Sequence, residues 1–236
     1  MATIRWLLLT RRVHKWLALF VGVQAVLWTL SGLYMTVVHI DIIHGDRFVR
    51  MPEPRPLPAA ALIDPLEAAQ AVPGAQGAKL QWLHDRLTYV VVGEGKQILV
   101  DARSGALVDP PTKEQIREMA ESWFTGDEKL TNLSLIHNLP GEVRGRKPPL
   151  WRAEFGGWNK PTLYLSPATG ELLTRRHELW RIFDFVWMLH IMDYYERENV
   201  NNWLLRTFTW AAVLMALSGA WLLLYSFPRR QWRKAQ

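Results

Sequence analysis

The chain has 236 residues, with 28 Lys and Arg against 22 Asp and Glu and no cysteine. The missing cysteines exclude disulfides, thiolate catalysis, thioether-attached haem and cysteine-ligated iron–sulfur clusters. No Asp or Glu falls in residues 1–38 or 203–236, and those ends hold nine of the basic residues, leaving 19 basic against 22 acidic in between, a net of −3. Basic charge gathered at the two ends, beside long apolar runs, reports membrane orientation, and no nucleic-acid partner is expected.

Residues 1–15, with Arg5, Arg11, Arg12 and Lys15, read as a cytoplasmic N-terminal segment. Trp16–Val38 follows without a charge, and Gln24, Thr29 and Ser31 are its strongly polar side chains. As a helix it is about 34 Å long, enough to cross a bilayer core of roughly 30 Å. The run is longer than the apolar core of a signal peptide, and no A-x-A-like cleavage site follows it. Ala18, Ala25 and Gly32 recur every seven residues and predict a packing stripe, with His14 and His39 close to the same line. Beyond the span, His39, Asp41, His44 and Asp46 offer imidazole and carboxylate ligands suited to zinc or ferrous iron. Histidines five apart on one helix point about 140° apart, so convergence requires the helix to end between them.

Residues 39–178 read as a soluble domain built as a repeat. In its first half Asp64–Val72 predicts a short helix with Asp64 as N-cap and Pro65 at the first helical position. Strands are expected near Lys79–His84, Leu87–Val92 and Gln97–Val100, closing at a turn that uses Gly105. In the second half Thr112–Trp123 is the helix and the strands lie near Lys129–Ile136, Leu150–Phe155 and Thr162–Leu165, closing at Gly170. Each half is thus expected as one helix on a three-stranded antiparallel sheet. Between the first two strands of the second half, Arg144, Arg146 and Lys147 form a basic hairpin loop suited to lipid headgroups, a siderophore carboxylate or a partner.

Residues 179–202 predict an amphipathic helix along the outer membrane surface, carrying His190. Residues 203–227 are the second transmembrane helix, with Ala212, Ala216 and Gly219 as its small-residue stripe and Pro228 ending it. Trp16, Trp203, Tyr225 and Trp232 serve as interfacial anchors, and 228–236 is a basic cytoplasmic tail. The fold class that follows is an α+β membrane protein, two transmembrane helices flanking an exported domain of two helix-plus-antiparallel-sheet units. No P-loop, dinucleotide fingerprint, nucleophile elbow or paired-carboxylate site occurs in the sequence.

Several segments carry a family resemblance. The order PGA (73–75), YVV (89–91) and ILVDARSGALV (98–108) resembles a PepSY module, and LYLSPATGELL (163–173) resembles the end of a second. RRVHKWLALFVGV (11–23) with LWTLSGLY (27–34) is similar to the first helix of the PepSY-associated transmembrane family, and FVWMLHIMDY (185–194) to a stretch preceding a later helix there. The resemblance implies an inner-membrane protein with a periplasmic domain, and relatives include reductases that release iron from siderophores. It implies b haem held by histidines: His190 with His39 or His44 at the outer face. His14 at the inner edge needs a ligand from a homodimer or a partner subunit, or has no ligand role. This chain has two spans where larger members have about four, and no flavin or nucleotide domain, so it is expected to be one link of an electron path. The alternative is a cofactor-free adaptor whose PepSY repeat binds a partner protein.

Overall fold

The computed structural model describes residues 2–50, 55–57, 61–83 and 85–226. His84, Pro228, Trp232 and the basic tail, which figure in the sequence reading, lie outside these residues, as does the side chain of Tyr225. The chain divides into two compact units, residues 40–181 and residues 1–39 with 182–236.

Unit 40–181 begins with helix α2 (Ile40–His44) and a 3-10 turn at Asp46–Phe48. Helix α3 (Pro65–Gln70) starts as expected: the Asp64 carboxylate accepts the Leu66 N–H at 2.7 Å, and Pro65, which has no N–H to satisfy, fills the first turn. Strands β1 (Ala75–Leu83), β2 (Arg86–Gly93), β3 (Lys96–Asp101) and β4 (Leu107–Val108) form an antiparallel sheet in that order. The β2–β3 connection is a two-residue hairpin with positive φ at both Glu94 (49°) and Gly95 (74°), the geometry that matches strand twist. Helix α4 (Lys113–Trp123) opens on a capping box in which Thr112 and Gln115 each satisfy the other's backbone N–H. Strands β5 (Leu130–Ile136), β6 (Leu150–Phe155), β7 (Thr162–Leu165) and β8 (Leu172–Arg176) form a second antiparallel sheet with the same sequential order.

The two halves repeat as the sequence predicts, but each sheet has four strands, not three. The turns explain the fourth. At Asp101–Gly105 and Ser166–Gly170 the glycine N–H bonds the carbonyl four residues back, at 3.0 and 2.8 Å, with φ of 73° and 68°. The chain therefore reverses at each glycine and returns to pair, as β4 on β3 and β8 on β7. Aligning the two turns makes Val100 equivalent to Leu165 and Leu99 to Tyr164.

Each helix covers the equivalent face of its own sheet. Ala68 of α3 and Val72, just past its end, bury Leu87, Tyr89, Val91 and Val100. Ile116, Met119, Ala120 and Trp123 of α4 bury Leu133, Ala153, Phe155, Leu163 and Leu165, and the same cluster takes in Val90 and Leu99 from the first sheet. Helix α4 thus serves both sheets. The other face of the second sheet carries Arg152, Glu154, Thr162 and Tyr164. A 3-10 turn at Gly141–Val143 closes part of that face over Leu150 and Tyr164.

His177 ties the ends of this unit together. It is 1% exposed, its Nε2–H donates to the Ile43 carbonyl at 3.1 Å, and its Nδ1 accepts the Trp180 N–H at 3.3 Å. Gly45, at φ 69°, lies against the ring, where an added Cβ would stand 3.0 Å from Cδ2. Burial holds the imidazole pKa below its ordinary value, and the neighbouring Arg181 and Arg47 charges add to this against the Ile43 bond. A group whose pKa is lowered on folding stabilises the fold above its unfolded value, about 6.5 for histidine, and loses that contribution as pH falls. The melting temperature of the full chain in detergent should therefore fall on acidification from about pH 7 toward pH 5.5. His177→Asn should remove this phase in a thermal-unfolding series, and an unchanged pH profile would count against the assignment.

In the other unit, α1 (Ala2–Val37) is continuous through the segment expected to precede the span. By length and composition, Leu8–Val37 and Trp203–Leu224 are long and apolar enough to cross a membrane. Helices α1 and α6 (Trp203–Ser226) pack antiparallel, with His14 against Met215–Gly219 and Phe20 stacked on Phe208 at 4.8 Å. The least exposed line on α1 runs His14, Leu17, Val21, Gln24, Trp28, Ser31, alternating steps of three and four. That is the spacing of two helices in coiled-coil-like contact. The expected stripe Ala18–Ala25–Gly32 sits one residue to the side of this seam. On α6 the seam is Leu204, Phe208, Ala211, Met215, Ser218 and Leu222, flanked by Ala212 and Gly219, while Ala216 is exposed.

Candidate functional site

The register of α1 on α6 starts α6 near the level of Gln24–Trp28, so the last turns of α1 extend past it. Helix α5 (Glu178–Ile191) ends beside those turns. Its terminal carbonyls have no partner within the helix, and each finds a side chain. Gln24 Nε2–H donates to Leu189 O at 3.0 Å, Trp28 Nε1–H to His190 O at 2.8 Å, and Asn202 Nδ2–H to Ile191 O at 2.8 Å. Met192, with φ of 54°, turns the chain out of the helix, and the Asp193 carboxylate accepts the N–H groups of Tyr195, Glu196, Glu198 and Asn199. These bonds, Asn199 foremost, hold the Asp193 pKa below the usual carboxylate range. The Asn202 side-chain oxygen then caps α6 by accepting the Leu205 N–H at 2.8 Å.

This framework fixes His190. Its Nδ1 lies 2.7 Å from Ser31 Oγ, and that hydroxyl lies 2.6 Å from Leu27 O. A hydroxyl has one proton and a carbonyl can only accept, so Ser31 donates to Leu27 O and accepts from Nδ1–H. The neutral ring then carries its lone pair on Nε2. Trp187 stacks on the same ring, with centroids 6.3 Å apart and planes within 11°.

His14 repeats the arrangement on the other seam. Its Nδ1 lies 2.8 Å from Ser218 Oγ and 3.2 Å from Met215 O, and Ser218 donates to Met215 O at 2.8 Å. The proton is again on Nδ1, and Nε2 again bears the lone pair. A histidine whose N–H is held by an outer partner, with its second nitrogen left to bind, is the usual state of a metal-ligating imidazole. Among the described residues neither Nε2 has a hydrogen-bond partner.

Ser31 and His14 are 17 positions apart on α1, about 26 Å, so His14 and His190 belong to two separate positions. One metal ion needs its imidazole nitrogens no more than about 4 Å apart, twice a metal–nitrogen distance of roughly 2 Å. His39 is exposed, eight residues beyond Ser31 and two past the end of α1. His44 is exposed at the end of α2, and its carbonyl accepts Arg175 Nε–H at 2.9 Å. Asp46 pairs with Arg175, and among the described residues no three His, Asp or Glu side chains group to hold a metal. The basic loop is tied down through Arg146, which donates to Leu173 O at 2.9 Å.

Ser31, Ser218, Gln24 and Trp28 were not singled out as site residues from the sequence. A signal for two of them was present, since Gln24 and Ser31 are polar, seven apart and inside an apolar run. Compared with family models, curated proteins and solved structures, the chain gives no match.

Gly219 leaves room for the His14 ring, because an added Cβ would stand 3.1 Å from its Cε1. Gly219→Val should displace the ring from Ser218 and destabilise the helix pair by about 1–3 kcal/mol. Gly22→Ala, where the new Cβ meets nothing within 4 Å, should not. Thermal unfolding in detergent compares the two, and equal effects would contradict the packing role.

Proposed function

We propose that this chain is an inner-membrane PepSY-type protein that holds b haem and serves as a transmembrane electron-transfer component. Its task would be reduction in the periplasm, ferric siderophores being one substrate class. The observation that carries this reading is the serine-oriented imidazole of His190, with its N–H committed and its Nε2 lone pair available between packed apolar helices. His190 would be one residue holding the iron and His39 or His44 a second, while His14, ordered the same way, would need a partner subunit or a second copy to complete a set. Bound haem would supply a one-electron carrier in a medium of low dielectric. The protein's own part is positioning. Gln24 and Trp28 hold the backbone beneath His190, Ser31 sets its tautomer, and Trp187 fixes the ring plane.

Purified wild type should show a Soret band, and His190→Ala should lose it. Ser31→Ala should keep the ligand but weaken retention roughly 10- to 100-fold, as loss of an outer-sphere partner does. His137→Ala, an exposed site on the soluble unit, should have no effect. Full haem content in His190→Ala would remove that residue from the ligand set, and no chromophore in any protein would favour the adaptor reading.

The topology is separately testable because the chain has no cysteine. A single cysteine at Glu121, exposed on α4, should react with a membrane-impermeant reagent on intact cells, and one at Arg11 should not. The reverse pattern would invert the orientation.

A further inference from the structure

The repeat leaves one sheet face open, and the residues there differ in kind. In the first half the face turned to the next helix is apolar, with Val90 and Leu99. The turn alignment makes Tyr164 equivalent to Leu99, and its strand partner Arg152 equivalent to Val90. The helix that follows the second sheet, α5, reaches this face through Glu178 and Arg181 near its start, and Arg152, Glu154 and Thr162 line an open cavity of about 610 Å³ there. Glu142, Arg181 and Lys160, the last on the loop between β6 and β7, line it as well.

Solvation explains polar residues on the outer face of a terminal repeat. It does not explain how hydrogen-bonding capacity is divided. Glu142 accepts Tyr164 Oη–H at 2.5 Å and two bonds from Arg181 at 2.6 and 3.1 Å. Burial alone would raise the Glu142 carboxyl; the Arg181 and Tyr164 bonds with the Arg181 and Arg152 charges outweigh it and hold the pKa low. Glu154 accepts Asn132 Nδ2–H at 2.8 Å and lies 2.8 Å from Arg152, and Glu178 accepts Arg181 at 3.1 Å. The carboxylates are therefore taken up by groups of the fold itself.

The donors are not. Arg152 has five N–H groups, meets a carboxylate through Nη2, and its Nε is buried without a partner among the described residues. Lys160 makes no ion pair among the described residues, and its backbone is held with φ of 41°, its carbonyl accepting Thr162 Oγ–H at 3.2 Å. A concave face whose acceptors are spent and whose Arg and Lys donors are not is complementary to ligand oxygens carrying negative charge.

We propose that the open face of the second sheet is a binding site for a small oxyanion-bearing molecule, recognised through Arg152 and Lys160. Carboxylate and phosphate share this chemistry, and the two probes separate them. Full-length protein in detergent is titrated calorimetrically with citrate and with inorganic phosphate. One-site, saturable binding of at least one probe is expected, citrate alone marking a carboxylate ligand and phosphate alone a phosphorylated one. Lys160→Gln should weaken that binding at least about tenfold at an unchanged melting temperature. Lys79→Gln, where the lysine already pairs with Glu171, should bind as wild type. Absence of saturable binding of either probe below about 10 mM, or wild-type affinity in Lys160→Gln, would overturn the site. The outcome is independent of haem, since neither probe nor variant touches His14 or His190.

Discussion

The unit of α1, α5 and α6 depends on one constraint, that a helix ending between apolar helices cannot leave its last carbonyls bare. Each such group, unpaired, costs several kcal/mol in a lipid-like medium. Leu189, His190 and Ile191 would all be in that position at the end of α5. Gln24, Trp28 and Asn202 supply the missing donors, two from α1 and one from the cap of α6. Much else follows from this. Gln24 and Trp28 must face α5, which sets the rotation of α1. Asn202 joins the end of α5 to the start of α6, which sets where α6 begins. With the rotation set, Ser31 comes under the His190 ring and His14 comes onto Ser218 and Gly219.

The two histidine–serine pairs use the same device at different depths. A serine in an apolar helix bonds a carbonyl of its own preceding turn, at Leu27 for Ser31 and Met215 for Ser218. That leaves the hydroxyl oxygen able to accept only, and so dictates which imidazole nitrogen keeps its proton. In unit 40–181 the organising rule is different. There a helix packs on the repeated face of each sheet, and the last face collects ionisable residues whose carboxylates are paired within the fold while Lys160 makes no ion pair among the described residues.

Some of the fold was legible in the sequence because its causes are local. Asp64–Pro65 and Thr112–Gln115 announce helix starts through bonds that span three residues or fewer. Gly105 and Gly170 announce chain reversals because positive φ is costly for other residues. What those signals did not reveal was the fourth strand of each sheet. Leu107–Val108 is two residues long and carries no alternation to read, and Leu172–Arg176 looks like a polar continuation. Pairing with the neighbouring strand, not composition, makes them strands. The small-residue stripe erred by one position on α1 for a related reason. Small residues permit close approach, but the seam was set by the polar residues that had to meet α5.

From its sequence alone the chain determined two apolar runs of membrane length, a charge pattern confined to its ends, and a repeated helix-and-strand plan. These depend on the order and type of neighbouring residues, which hydrophobic periodicity and capping report directly. Only the tertiary structure decided that His190 answers to Ser31, that His14 answers to Ser218, and that the second sheet has an open charged face. Those pairings join residues 159 and 204 positions apart, and no local rule relates such positions. They exist because packing brings particular helix faces together, and burial then obliges each polar group there to find a partner.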